Sequence, residues 1–147
     1  MRFTTKTEYG LFCLIHMAKS AEFNPTTVRD IVKDENYSSA YTEKILQSLR
    51  AANIVHSQQG NHGGYTLARR PSDITFREII EALEGQTFDV FCGEPREKNE
   101  IVCNHFPLCG VKPVWRKTKE LLDNFYDSIT LDMLAKNEFK FEESRVS

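Results

Sequence analysis

The hydrophobic period of the chain changes at Asn53, and that change limits what the first half can fold into. Before it, apolar residues recur every three to four positions, the spacing of buried helix faces. After it, Ile54-Val55-His56-Ser57 and Tyr65-Thr66-Leu67 read as short strands joined by Gln58-Gln59-Gly60-Asn61-His62-Gly63-Gly64, a glycine-rich hairpin tip.

The helices can be placed from their caps. Thr5-Lys6-Thr7-Glu8 has the capping-box pattern, a hydroxyl with Glu three residues on. It opens a buried helix carrying Tyr9, Leu11, Phe12, Cys13, Leu14, Ile15 and Met17, stopped by Asn24-Pro25. Thr26 or Thr27 caps a short second helix with Val28, Ile31 and Val32. After the polar turn Asn36-Tyr37-Ser38-Ser39, a third helix spans about Ala40 to Ala52, with Tyr41, Ile45 and Leu49 inward and Glu43, Gln47 and Arg50 outward beside Lys44. Thr75-Phe76-Arg77-Glu78 is a second capping box, opening a helix with Ile79, Ile80 and Leu83 that Gly85 closes. Pro113 suits the first turn of a later helix that presents Trp115, Leu122, Phe125, Tyr126 and Ile129 as one stripe. Thr130 caps a last short helix through Met133 and Leu134, and the charged tail from Glu138 is expected to fray.

Three helices followed by a hairpin are the layout of a winged helix-turn-helix. The expected fold is mainly α with a small β-hairpin wing and a long C-terminal helix. Residues 1–85 form the DNA-binding unit, 86–112 a cysteine-bearing loop, 113–137 the long helix and a short last helix, and 138–147 a flexible tail. Reading DNA requires a helix whose apolar face is fixed on a core while its polar face enters the major groove, and the third helix meets that demand. Glycines in the wing allow the backbone to lie close to a phosphate or inside a minor groove. Charge agrees: residues 1–70 hold nine Lys and Arg against six Asp and Glu, while residues 71–147 hold ten against fifteen.

Other classes are poorly served. No apolar run approaches the roughly 20 residues of a membrane helix, and Met1 to Lys6 lacks the pattern of an export signal, so a cytoplasmic protein is expected. Nor is there a nucleophile–base motif, a phosphate-binding loop or an HExxH zinc motif, so an enzyme is not expected.

In a reducing compartment cysteines are metal ligands or plain thiols. Cys92, Cys103 and Cys109 fall in a stretch with few apolar residues, spaced by ten and then five residues, where a metal would staple a segment without its own core. Three such thiolates can converge on iron with sulfide completing a cluster, or on zinc with His105 as a fourth ligand. Cys13 belongs to the apolar run of the first helix and is read as core.

The segments Ser38-Ser39-Ala40-Tyr41-Thr42-Glu43 and Gly63-Gly64-Tyr65-Thr66-Leu67, with three cysteines ahead of a Trp-bearing helix, resemble the IscR/NsrR-type (Rrf-two) family of bacterial winged-helix iron–sulfur transcription regulators. The resemblance covers residues 1–135 and implies a homodimer binding double-stranded operator DNA, with the long helix in 113–137 as the dimerisation helix. It implies an iron–sulfur cluster, 2Fe-2S or 4Fe-4S, on Cys92, Cys103 and Cys109. DNA contacts are implied for Ser38, Ser39, Tyr41, Glu43, Lys44 and Gln47, with wing contacts from Gln59, Gly60, Asn61 and His62; Arg50 joins them on the outward face of the helix.

The sequence departs from the family pattern at three places. The wing arginine of IscR-like members is matched by Gln59, the first two cysteines lie farther apart, and the histidine ligand after the last cysteine is matched by Lys112. NsrR-like members use a carboxylate from the partner subunit, which Glu8 matches; Glu8 is also accounted for as the partner of Thr5 in the capping box. His105 is the other candidate fourth ligand. A zinc-stapled repressor and a thiol switch, with two loop cysteines forming a disulfide, are the alternatives to a cluster.

Overall fold

The computed structural model describes residues 3–20, 24–35, 37–61, 63–88 and 109–139. Helix α1 (Thr5–Lys19) begins at the residue expected to cap it, one position earlier than its capping box implies. Thr4 is the N-cap, in extended conformation, and its hydroxyl accepts from the Lys6 N–H. This corrects the reading of Thr5 and Glu8 as a capping box. The cap forms at Thr4 because that register lets the Thr4 and Thr7 hydroxyls both donate to the Glu84 carboxylate. Glu8 is left exposed on the first turn.

Helix α2 (Val28–Glu35) carries a reciprocal cap: the Thr27 N–H donates to Asp30 at 3.0 Å and the Asp30 N–H donates to the Thr27 hydroxyl at 3.2 Å. Helix α3 (Ser39–Ala51) follows and buries Thr42, Ile45, Leu46 and Leu49. Asn53 then takes a left-handed turn, φ 56°, a conformation asparagine tolerates, and redirects the chain into the hairpin.

Strands β1 (Val55–Gln58) and β2 (Gly64–Leu67) pair antiparallel, Val55 opposite Leu67 and Gln58 opposite Gly64. Thr26 adds a rung that the sequence did not announce. Its N–H donates to the Tyr65 carbonyl at 2.8 Å, and the Tyr65 N–H donates back to the Thr26 carbonyl at 2.9 Å. That rung explains Gly64, where a Cβ would stand 2.7 Å from the Thr26 carbonyl oxygen. At Gly63 a Cβ would stand 2.6 Å from the Gln58 carbonyl oxygen. Two wing glycines are therefore demanded by the chain's own backbone rather than by a nucleic acid. Gly60, at φ 118°, faces open space.

A 3-10 turn at Pro71–Asp73 leads to α4 (Phe76–Glu84), opened by the expected reciprocal box of Thr75 and Glu78 and closed by Gly85 at φ 90°. Helix α5 (Val111–Asp127) starts two residues before Pro113, which lies in the first turn, where the missing N–H has no helical acceptor. Thr130 caps α6 (Leu131–Lys136), its hydroxyl accepting from the Met133 N–H at 3.3 Å. A bridge between Thr75 and Thr130 ties the starts of α4 and α6 together.

A single apolar cluster joins Cys13 and Leu14 of α1, Ile31 of α2, Ile45, Leu46 and Leu49 of α3, Val55 of β1, Ile79 of α4 and Leu131 of α6. Cys13 is completely buried there, as the core reading expects. The stripe expected on α5 divides into two faces. Tyr126 and Ile129 turn inward, Tyr126 edge-on against Phe76 at 4.9 Å, while Val111, Val114, Trp115, Leu121 and Phe125 are between 36% and 59% exposed. Phe125 stands about 100° round the helix from Tyr126 and Leu121 about 140°, off the side that α4 covers, while Trp115 shares the side of Tyr126 but lies about three turns nearer the N-terminus. The architecture is a winged helix-turn-helix with a long C-terminal helix. No described helix is long and apolar enough to cross a membrane.

Candidate functional site

Three aliphatic side chains fix α3: Ile45, Leu46 and Leu49 are completely buried. Burying each is worth about 1.5–3 kcal/mol, enough to hold one face of the helix down and present the other. Ser38, Ser39, Glu43, Lys44, Gln47 and Arg50 are all exposed on or just before α3. The Ser38 hydroxyl makes no hydrogen bond capping its own helix. Arg50 is partly committed, its guanidinium donating to the Ser57 hydroxyl of β1 at 3.2 Å and bracing the helix against the wing. Tyr41 differs from its neighbours: it is half-buried and meets the Tyr9 ring edge-on at 5.4 Å. At the wing tip Gln59, Gly60 and Asn61 are exposed, and His62 lies outside the described residues.

The metal candidates are only partly visible. Cys92, Cys103 and His105 lie outside the described residues. Cys109 is half-buried, two residues before α5, and Lys112 is exposed in that helix's first turn. Among the described residues no three His, Cys, Asp or Glu side chains gather as a metal site. Glu8, relieved of any capping duty, is an exposed carboxylate. Three soft thiols and one carboxylate suit iron by the chemistry of the donors.

Two polar hubs that sequence patterns did not announce lie at the edges of this site. Glu84, the last residue of α4, accepts from the Thr4 N–H at 3.1 Å and from the hydroxyls of Thr4 and Thr7, while Lys6 donates to the Leu83 carbonyl at 2.7 Å. Burial opposes ionisation of Glu84, but these hydrogen bonds and the Lys6 charge outweigh it and hold the carboxyl below its ordinary range. Asp123 of α5 accepts from the Thr87 hydroxyl and from Lys119, with Arg77 of α4 at 3.5 Å. Burial again opposes its charge, and the Lys119 and Thr87 bonds with the neighbouring cations prevail, so its carboxyl is also lowered. Arg77 further binds Glu81 and Asp127, each at 3.0 Å, and is held firmly protonated. Both ends of the cysteine-bearing stretch are thereby attached to α5, through Thr87 on one side and through the chain after Cys109 on the other. Only three-dimensional folding brings Thr7 to Glu84 or Thr87 to Asp123, since their separations in sequence are 77 and 36 residues.

A helix fixed by buried aliphatics, polar on its outer face and flanked by an antiparallel wing, defines a DNA-binding winged helix-turn-helix protein. Residues 3–137 match the Rrf2 family, described as iron-dependent transcriptional regulator, and the chain belongs to that family. It is 33% identical to the HTH-type transcriptional regulator CymR of Bacillus subtilis over 135 residues, covering 92% of this chain and 90% of that protein. The solved structure of CymR, the global cysteine regulator of B. subtilis, superposes with a TM-score of 0.74 at 31% identity, over 93% of this chain and 98% of that one. IscR of T. potens superposes with a TM-score of 0.68 at 32% identity, over 100% of this chain and 93% of that one. The protein is thus a transcription regulator and not an enzyme.

Proposed function

We propose that this regulator acts as a cytoplasmic homodimer whose grip on operator DNA depends on an iron–sulfur cluster, 2Fe-2S in the favoured case. Each α3 enters a major groove, with Ser38, Ser39, Glu43, Lys44 and Gln47 toward bases and phosphates and Gln59, Gly60, Asn61 and His62 along the neighbouring backbone. A two-fold dimer places two such helices on the half-sites of a near-palindrome. The exposed apolar face of α5, from Val111 to Phe125, supports the pairing, because monomeric proteins rarely leave contiguous apolar surface in water.

Cys92, Cys103 and Cys109 would hold the cluster, with the partner subunit's Glu8 as fourth ligand. When bound, it supplies iron chemistry responsive to iron supply, oxidants or nitric oxide. The chain's own residues do the rest. Thr87 pins one end of the loop to Asp123, Cys109 leads into the other end of α5, and Arg77 carries that helix's position to α4. A change in the loop is thereby felt at the angle between the two DNA-binding units. The observation that carries this reading is that Thr4, not a Thr5–Glu8 box, caps α1, which leaves Glu8 an exposed carboxylate in the first turn. The test is anaerobic purification: the protein is expected to be brown, and Cys103→Ala to be colourless yet still a folded dimer. A colourless wild type carrying one zinc per chain would favour a closed site of Cys92, Cys103, His105 and Cys109.

Similarity to a regulator named for cysteine supports a second reading, in which two loop thiols act as a switch. A hydroperoxide would accept two electrons and the two thiol protons from the pair as its O–O bond breaks, yielding a disulfide with one water and one alcohol, or two waters from hydrogen peroxide. Mass spectrometry after peroxide, on protein shown to be iron-free, separates this from the cluster.

A further inference from the structure

Tyr37, just ahead of α3, has no part in the scheme above. Tyr9 of α1 and Tyr37, in the connection between α2 and α3, stack face to face, with centroids 3.8 Å apart and planes 11° from parallel. Tyr41, in the first turn of α3, closes the group edge-on against Tyr9. Tyr37 directly precedes Ser38 and Ser39.

The buried side chains that fix α3 begin at Thr42 and continue to Leu49, so the core grips the middle and far end of the helix. Ahead of Thr42 the hold is lighter: Tyr41 is half-buried against the core, the Thr42 hydroxyl donates to the Ser38 carbonyl at 3.0 Å, and Ser38 provides no side-chain cap. That near end carries Ser38, Ser39 and Glu43, which the proposed function turns toward the DNA. The stack adds to that lighter hold. Tyr9 itself is rigidly based: the first turn of α1 is bonded to the end of α4 through Thr4, Lys6 and Thr7, and Gly10 packs directly under Leu83.

We infer that Tyr37 is a positioning residue for sequence discrimination, its ring clamped on Tyr9 so that the N-terminal end of α3 meets base edges in one fixed pose. The inference rests on α3 being the helix that reads DNA. Phosphate contacts tolerate a small swing of the helix, whereas directional hydrogen bonds to bases do not, so losing the ring costs specificity before it costs affinity for DNA in general.

The experiment uses full-length wild type, Tyr37→Ala and Tyr37→Phe. Two duplexes serve as probes: one selected by the wild type from a random-sequence library, and a scrambled duplex of equal length. Tyr37→Ala is expected to bind the selected duplex about tenfold more weakly while staying within about twofold on the scrambled one, the loss of roughly one good base contact. Tyr37→Phe, which keeps the ring, is expected to retain the wild-type ratio. Should Tyr37→Ala not fold, Tyr37→Leu carries the same expectation. An unchanged ratio in the variant without the ring, an equal loss on both duplexes, or a Tyr37→Phe variant as impaired as the alanine would each overturn the inference. A wild type that selects no sequence at all would instead remove the DNA-reading role of α3.

Discussion

The Thr7 hydroxyl at the start of α1 donates to the Glu84 carboxylate at the end of α4, at 2.5 Å. This bond, with those from Thr4, locks the helix that carries Glu8 and Tyr9 to the residue from which the chain departs toward the cysteine loop. A charge-assisted hydrogen bond of this kind is worth about 1.5–3 kcal/mol, so Glu84→Gln is expected to destabilise the fold by about that much at neutral pH. The sign of the pH dependence follows from the lowered carboxyl. Its contribution is complete above the ordinary glutamate value and is lost as pH falls through the depressed folded value. Denaturation of wild type and Glu84→Gln should therefore differ most at neutral pH and converge in acid; a constant gap would show that the clamp does not depend on charge.

Glu8→Ala separates ligand from cap. A capping glutamate lost from α1 would lower stability by about 1 kcal/mol. Since Thr4 caps the helix and Glu8 stands in water, the change in stability is expected to stay within about 0.5 kcal/mol. The visible spectrum or lifetime of the cluster should change instead. A destabilised variant with an unaltered chromophore would return Glu8 to a structural role.

Glu43→Ala should relax preference at one operator position, costing about 1–3 kcal/mol against the preferred base, because an outward carboxylate can accept from a cytosine amino group. Binding to scrambled DNA should hold or improve slightly as a negative charge leaves the interface. Competition binding against single-base operator variants measures this. A uniform loss across all sequences would contradict base readout.

Val114 is 57% exposed in the first part of the apolar face of α5. Placing a charge there should not disturb the core but should prevent burial against a second copy. Val114→Glu is expected to sediment as a folded monomer with weakened operator binding. A dimer of unchanged stability would move the pairing surface elsewhere.

The architecture was legible wherever local chemistry fixes it. The Thr75–Glu78 box, the Gly85 stop and the change of period at Asn53 all mark their elements in sequence, because each works within a few residues. The register of α1 was not legible. Local spacing favours Thr5, with Glu8 three residues on, and the choice of Thr4 is made by Glu84, 80 residues from it. The stripe expected on α5 divided for a similar reason, since spacing shows that Phe125 and Tyr126 are apolar but not that α4 covers only the second. Outward polar residues of α3 follow directly from its period. The role of Gly63 and Gly64 did not, because the Thr26 rung that forbids a Cβ at Gly64 has no sequence signature. Cys92, Cys103 and His105 were singled out by spacing and donor chemistry alone.

The most direct test of the whole account is the affinity of anaerobically prepared protein for its selected duplex, measured before and after the iron is removed by a chelator. The account predicts a brown protein whose affinity changes by about tenfold or more when the colour is lost, as expected if base contacts worth about 1–3 kcal/mol each are misplaced. A brown protein whose affinity stays the same after the iron is removed, or a wild type that never holds iron, would contradict it.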